Sequence, residues 1–261
     1  MKVGVFTDEA AVAKAAAAYL METMDAATVC NLGVATGSTP LPLYAELRAA
    51  HADGKFSLAK AKAFALDEYI GLEFGHSESY RKVLQNELVG ADKVGLADEN
   101  LFTPNGNVDV PVGAREAADA YDALIRDNGG VHLQILGIGS NGHIGFNEPG
   151  TSLSSRTHVD ALARQTREDN ARFFDGDLGK VPEMCITQGL GTILEAEHIM
   201  LIATGAAKAH AIAQAVEGPI SSACPASILQ MHPSVRVYVD EAAAANLSGR
   251  DMHAVRWEVL A

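Results

Sequence analysis

Three kinds of side chain that move protons sit in two short segments. Asp67-Glu68-Tyr69 directly follows the apolar run Ala63–Leu66. A carboxylate just past a buried strand is placed to act as a general base; the same residue also suits a turn or helix cap. Further on, the stretch Leu136–Pro149 crowds Asn141, His143 and Glu148 between glycines. Histidine titrates nearest neutrality, and a neighbouring amide or carboxylate can fix its tautomer. That composition points to an acid/base centre, or to a glycine turn holding a hydrogen-bonded histidine. Gly137 to Gly142 also spells GxGxxG, with Asp160 available as a ribose acid. A dinucleotide site needs a helix after the glycines. Gly145, Asn147 and Pro149 oppose one, so that reading is set aside.

Other segments could hold an anion. Ala35-Thr36-Gly37-Ser38-Thr39-Pro40 follows the apolar run Val29–Val34. Thr39 reads as an N-cap and Pro40 as the first helical residue. Gly37 lets the backbone approach a ligand closely, and Ser38 and Thr39 add hydroxyls to the free N–H groups of a helix start. A capped strand-to-helix turn would have the same sequence. Lys208 falls in another such junction, Thr204–Lys208, where a cation in the first helical turn opposes the dipole; a bound anion would offset this, and an exposed lysine would not need one. Arg172 can grip phosphate bidentately, or pair on the surface with Asp169 or Asp175.

These segments need a scaffold that brings them together. Strand-like runs at Val3–Phe6, Val29–Val34, Ala63–Leu66, Val131–Leu136, His198–Ala203 and Val235–Val239 alternate with helical patterns. The helices are expected over Asp8–Met24, Pro40 to about Ala50, Ser77–Leu88, Ala114–Asp127, Ala206–Val216 and Glu241–Asn246. This rhythm predicts an α/β protein: one doubly wound, mostly parallel, Rossmann-like sheet with helices on both faces. Neither a linker nor a repeat divides the chain, so residues 1–261 are read as one domain. The polar stretch 151–179 has no clear period and reads as a mobile lid or a surface excursion. Ligands in such folds bind beyond the carboxyl ends of the strands, where the segments above fall.

Bulk properties narrow the partners. The 261 residues are 48% apolar and 20% charged, with a formal net charge of −13. Such a charge opposes nucleic acid, which needs a basic face, and an anionic membrane surface. It does not oppose a single phosphate, because distant carboxylates are screened beyond a Debye length of about 8 Å. Cys30, Cys185 and Cys224 make no metal-like spacing and read as free thiols of a reducing cytoplasm. The apolar run Val3–Phe6 is short for a secretory signal and Asp8 and Glu9 interrupt it; no stretch approaches the roughly 20 apolar residues of a membrane span.

Together, Thr36–Pro40, Leu66–Leu72, Asn141–Pro149, Ser155-Arg156-Thr157 and Ala171–Asp175 resemble the glucosamine-6-phosphate deaminase family. The similarity keeps the family's order from about Val29 to Val239. It implies hydrolytic deamination of glucosamine 6-phosphate, a small-molecule substrate, to fructose 6-phosphate and ammonia, within amino-sugar catabolism and without a metal or organic cofactor. It also implies roles. Asp67 would move the C2 proton, and His143, supported by Asn141 and Glu148, would open the sugar ring. Gly37, Ser38, Thr39, Arg172 and Lys208 would bind the phosphate.

Two features depart from the family. Position 141 is Asn where some relatives carry Asp, which shifts charge stabilisation of the imidazole toward Glu148. His158 and Asp160 stand where allosterically activated relatives have basic residues, so activation by an acetylated amino-sugar phosphate is expected to be weak or absent. Relatives range from monomers to hexamers, which leaves a homo-oligomer open. The alternative readings are a 6-phosphogluconolactonase, which has a similar Gly-His loop, and a non-catalytic sugar-phosphate sensor. The Asp67-Glu68-Tyr69 and Phe146–Pro149 blocks favour the deaminase.

Overall fold

The structure is a computed structural model that describes residues 1–28, 30–73 and 75–260, leaving aside the side chains of 259 and 260. In chain order its strands and helices are β1 (Lys2–Phe6), α1 (Glu9–Ala26), β2 (Asn31–Val34), α2 (Leu41–Ala52), β3 (Lys62–Ala65), β4 (Asp67–Tyr69), α3 (Tyr80–Leu88), β5 (Leu101–Phe102), α4 (Val112–Asp127) and β6 (Leu133–Leu136). Then follow β7 (His158–Ala161), α5 (Arg164–Asn170), β8 (Met184–Thr187), α6 (Leu190–Ile193), β9 (His198–Ala203), α7 (Ala209–Val216), β10 (Val235–Asp240) and α8 (Arg250–Leu260).

Seven strands form the central sheet, in the order β1-β10-β9-β6-β2-β3-β5. Every pairing in it is parallel. Its strands are almost wholly buried, as apolar runs without alternation require when helices cover a sheet. From β2 the chain winds outward through β3 to β5; from β6 it winds the other way through β9 to β10. The reversal between β2 and β6 is the switch point at which such sheets open a crevice.

The expected parallel α/β sheet is thus present, and the structure adds a smaller antiparallel sheet, β4-β8-β7. Asp67 pairs with Thr187 in that sheet. Its strands are only three or four residues long, two of them carry charged side chains, and hydrophobic spacing does not mark them. Three local expectations are corrected. Thr39 does not cap α2: the cap position is Pro40, and no side chain bonds the first turn. Lys208 precedes α7 rather than lying in its first turn, because Ala206–Lys208 forms a tight 3-10 turn after Gly205. The segment 241–246 is a series of turns, not a helix: the Asp240 carboxylate accepts the N–H groups of Ala243 and Gly205, and the bonds that follow, Ala245 N–H to the Ala242 carbonyl and Leu247 N–H to the Ala244 carbonyl, span three residues rather than four. The first residue of the expected strand Val29–Val34 lies outside the described residues.

Candidate active site

The loops after β2 and β6 lie side by side because their strands pair. Between them opens a cleft of about 510 Å3. Gly37, Ser38, Thr39, Asp67, His143, Arg172 and Lys208 all line it. Asn141 and Glu148 do not; they stand behind His143. The sequence segments therefore converge as expected, in two halves.

Asp67 sits where the chain leaves the large sheet for the small one. It is 6% exposed, and among the described residues none donates a hydrogen bond to its carboxylate. Burial, reinforced by the adjacent Glu68, holds its carboxyl well above the usual carboxylate range. Glu68 points to the other side of β4, where Tyr69, Tyr80 and Arg81 each donate a backbone N–H to its carboxylate at 2.9 Å. Two of those donors open α3, so Glu68 is the anion of that helix start. Of two neighbouring acids, one is tied into the fold and the other is left facing the cleft. Burial still lifts Glu68, against those three backbone bonds and the Arg81 charge.

His143 is placed by glycine. Gly139 carries it on a backbone bond from the Gly139 N–H to the His143 carbonyl, 2.9 Å long. A Cβ at position 139 would lie 2.2 Å from the imidazole Cε1, so only glycine leaves room for the ring. Behind it, Glu148 Oε2 lies 3.6 Å from His143 Nδ1, beyond a direct hydrogen bond but within reach of charge. Asn141 Nδ2 donates to Glu148 at 2.8 Å while its Oδ1 accepts the His143 backbone N–H at 3.1 Å. Thr166 donates to the other oxygen of Glu148. Burial alone would raise the Glu148 carboxyl; the facing His143, with Thr166 and Asn141, outweighs it and lowers it.

The loop is held from beneath. Thr187 Oγ1, across from Asp67 in the small sheet, accepts the Phe146 N–H at 3.1 Å. Asn147 is fully buried and donates to the carbonyls of Ile144 and Gln188. Gly142 and Gly145 adopt φ of +89° and +57°, where a side chain would also strike Cys224 and Thr187 respectively. No helix follows these glycines until Arg164, in keeping with the exclusion of a dinucleotide site.

At the other half of the cleft, Gly37 has a φ of +86° with nothing near its missing Cβ, leaving the backbone open to a ligand. Arg172 Nη2 donates to Ser38 Oγ at 3.2 Å, bridging the stretch 151–179 to this loop. Asp175 pairs with Lys180 instead, and among the described residues no carboxylate lies within ion-pair distance of Arg172 or Lys208. Burial and the Arg172 charge lower the Lys208 ammonium, against the pull of Asp169. Two cations lining one cleft with no direct ion pair are arranged for an external anion.

Several residues in the site carried no signal of their own. Thr166 and Asp169 come from α5, inside the polar stretch 151–179, where a short helix of hydrophilic residues shows no apolar stripe. Tyr80 reaches the cleft from the start of α3 and bonds the Tyr69 hydroxyl at 3.1 Å, which Asn170 also contacts at 2.8 Å. Ser155-Arg156-Thr157 is structural: Arg156 bridges Asp122 and Glu195, and Ser155 accepts the Leu190 N–H.

A parallel sheet with a cleft at its switch point, an acid/base pair on one side and unpaired cations on the other, defines an α/β enzyme for a small anionic metabolite. Residues 7–238 match the family model of glucosamine-6-phosphate isomerases/6-phosphogluconolactonase, and the chain belongs to that family. It is 49% identical over 254 residues to a glucosamine-6-phosphate deaminase of Pseudarthrobacter chlorophenolicus, covering 97% of this chain and 95% of that one. A glucosamine-6-phosphate deaminase of Mycolicibacterium smegmatis is 53% identical over 83% of this chain and 81% of its own. Among solved structures, a monomeric glucosamine-6-phosphate deaminase superposes with a TM-score of 0.89 at 37% identity, covering 94% of this chain and all of that one. The 6-phosphogluconolactonase of Trypanosoma brucei reaches 0.76 at 19% identity, over 95% of this chain and 98% of that one, a likeness of fold.

Proposed function

We propose that the cleft deaminates and isomerises glucosamine 6-phosphate, with water, to fructose 6-phosphate and ammonia, as a cytoplasmic step of amino-sugar breakdown. The observation that carries this reading is the convergence of Asp67 and His143 on one cleft whose far wall holds Arg172 and Lys208 unpaired. Gly37, Ser38 and Thr39 take the phosphate oxygens with their N–H and hydroxyl groups, and the two cations neutralise the charge.

With the phosphate anchored, the sugar ring reaches the proton-moving half. His143 takes the proton of the anomeric hydroxyl and returns one to the ring oxygen, which opens the pyranose. Glu148 faces the imidazole and steadies its charged form, and Asn141 holds Glu148 in place. Asp67 then removes the C2 proton. The electron pair forms the C1–C2 double bond as the C1 carbonyl π pair moves to its oxygen, which takes a proton to give an enolamine; the nitrogen lone pair then drives protonation at C1. The nitrogen is left as a C2 imine. Water adds to C2 and the C–N bond breaks, so one water enters for each ammonia released. The C1 carbonyl is the electron sink for the first proton transfer and the substrate's own nitrogen supplies the electrons for the second, so the sequence of steps calls on no metal or organic cofactor. The elevated carboxyl of Asp67 suits a base that works near neutral pH.

The stretch 151–179 contributes Thr166, Asp169, Asn170 and Arg172 to the cleft wall, which supports reading it as a cover over bound substrate. Activation by an acetylated amino-sugar phosphate is weak or absent in this proposal: at the position in question His158 and Asp160 face each other at 3.7 Å. Rate curves should stay hyperbolic with and without that effector.

The test is incubation with glucosamine 6-phosphate and measurement of both products. Equal amounts of ammonia and fructose 6-phosphate are expected. A folded protein that releases no ammonia, or that instead hydrolyses 6-phosphogluconolactone, overturns the reading; sugar-phosphate binding without turnover would favour the sensor.

A further inference from the structure

At the opposite end of the central sheet from the cleft lies a second cavity, of about 700 Å3. Lys2, Tyr19, Glu22, His132, His198 and Arg236 line it. None of these residues has a part in the reaction. Strand register builds the group at its floor. His132 directly precedes β6, His198 opens β9, and Leu133 lies opposite His198 in the parallel pair. The His198 N–H donates to the His132 carbonyl at 2.9 Å, and the Glu197 N–H to the Val131 carbonyl at 3.1 Å. Two imidazoles and a carboxylate are therefore set side by side by backbone pairing.

The side chains complete the arrangement. The two rings have centroids 5.2 Å apart and stand nearly perpendicular, at 84°. His132 Nδ1 lies 2.9 Å from Glu197 Oε2, and His198 Nδ1 lies 2.7 Å from Ser234 Oγ. One ligand atom from each of His132, Glu197 and His198 falls within 4.8 Å of the other two. We propose that these three residues form a binding site for a borderline divalent transition metal, with zinc as the reference case, at the amino ends of β6 and β9 and separate from the cleft.

Ligand chemistry selects the class of metal. A tetrahedral zinc with bonds of about 2.0–2.1 Å sets its ligand atoms roughly 3.3 Å apart. The His132–Glu197 pair already meets that spacing, joined by a proton where the ion would sit. His198 closes the rest by side-chain rotation. Ser234 engages its Nδ1, and where the serine hydroxyl accepts that bond the other ring nitrogen is left as a lone-pair donor. Magnesium and calcium need several oxygen ligands, and two imidazoles with a single carboxylate do not supply them. Imidazole donors suit zinc, nickel and copper. The open fourth position faces the cavity. An ion there ties two neighbouring strands together and stabilises the folded chain by mass action.

The experiment is a calorimetric titration of metal-free protein with zinc chloride, with magnesium chloride as the control. One zinc per chain is expected, with a dissociation constant in the micromolar range or tighter, and a thermal midpoint that rises with zinc. Glu197→Gln, at an exposed residue, and His198→Ala should each weaken binding by roughly tenfold or more, with ammonia release from glucosamine 6-phosphate unchanged in metal-free buffer. His143→Ala should bind zinc as the parent does. Saturable binding that is absent, that survives both the Glu197 and His198 substitutions, or that is lost with His143 overturns the site.

Discussion

The two halves of the cleft are built by opposite means. The half proposed to hold the anion is open and polar: a loop with an open glycine at 37, hydroxyls, and two cations that make no direct ion pair among the described residues. The half proposed to move protons is more enclosed: Asp67 is buried without a hydrogen-bond donor, and Glu148, which faces His143, is held by Asn141 and Thr166. Binding needs charge and reach, which flexible cations beside a strand end supply. Proton transfer needs position and a tuned carboxyl, which burial supplies at the expense of stability. The halves should therefore fail differently when altered: one in affinity, the other in turnover.

The largest separation is expected at Asp67. Asp67→Asn keeps the shape and removes the base, so ammonia release should fall by about 10²–10⁴-fold, while fructose 6-phosphate binds as before. Stability should move the other way. The folded chain holds the Asp67 proton to higher pH than the unfolded chain does. The group's contribution to stability is thus full below the unfolded carboxylate range and is lost as pH rises through the elevated folded value. Asn does not titrate, so the variant's melting temperature relative to the parent should climb with pH. A variant that is slower and also less stable at neutral pH would mean that Asp67 holds structure as well.

Gly139→Ala tests whether placement alone carries the imidazole. The added Cβ would fall inside the His143 ring, so the ring must swing away while every chemical group remains. A fall in turnover of about 10²-fold is expected, the low end of a general acid–base contribution. Affinity for inorganic phosphate should not change, because Gly37, Ser38 and Lys208 are untouched. Equal losses in both readouts would join the halves into one unit.

The anion half gives the complementary result. Arg172→Ala or Lys208→Ala removes a charged donor, and hydrogen bonds to charged groups are worth about 1.5–3 kcal/mol. KM for glucosamine 6-phosphate should rise by roughly 10- to 100-fold with kcat nearly kept. Arg172→Lys should recover only part of this, since lysine cannot present two parallel N–H groups to one phosphate.

The two halves also differ in how far they could be read from residues alone. Apolar strands such as β9 and β10 announce themselves by composition, and with them the strand ends where Gly37 and Lys208 stand. The loop Asn141–Pro149 is legible because its glycines and polar residues are inconsistent with a helix. What supports it is not: β4, β7 and β8 are three or four residues long and carry polar side chains, so only their pairing reveals that Asp67 faces Thr187. Helix α5 hides for the same reason, since one buried residue, Thr166, gives it no apolar stripe. The turns at 241–246 mislead in the other direction. Their alanines and the Asp240 cap favour a helix, but the backbone bonds that follow close three-residue turns in place of a helical ladder.

Thr166 offers the finest test, because that unread helix reaches the acid/base half through one hydroxyl. Its bond to Glu148 is one of the interactions that hold that carboxyl below its ordinary value against burial. Thr166→Val keeps the volume and deletes the donor. The Glu148 carboxyl should then rise toward the usual range, and the acidic limb of the kcat profile should move to higher pH with it. Glu148 accounts for stability that is present above the unfolded carboxylate range and lost as pH falls, so the variant should also lose less stability on acidification than the parent. A net hydrogen bond is worth about 0.5–1.5 kcal/mol, which limits the loss of turnover at neutral pH to roughly two- to tenfold. KM should stay constant. A KM that rises with an unmoved acidic limb would place Thr166 with the anion-holding half, and the division between the halves would have to be redrawn through α5.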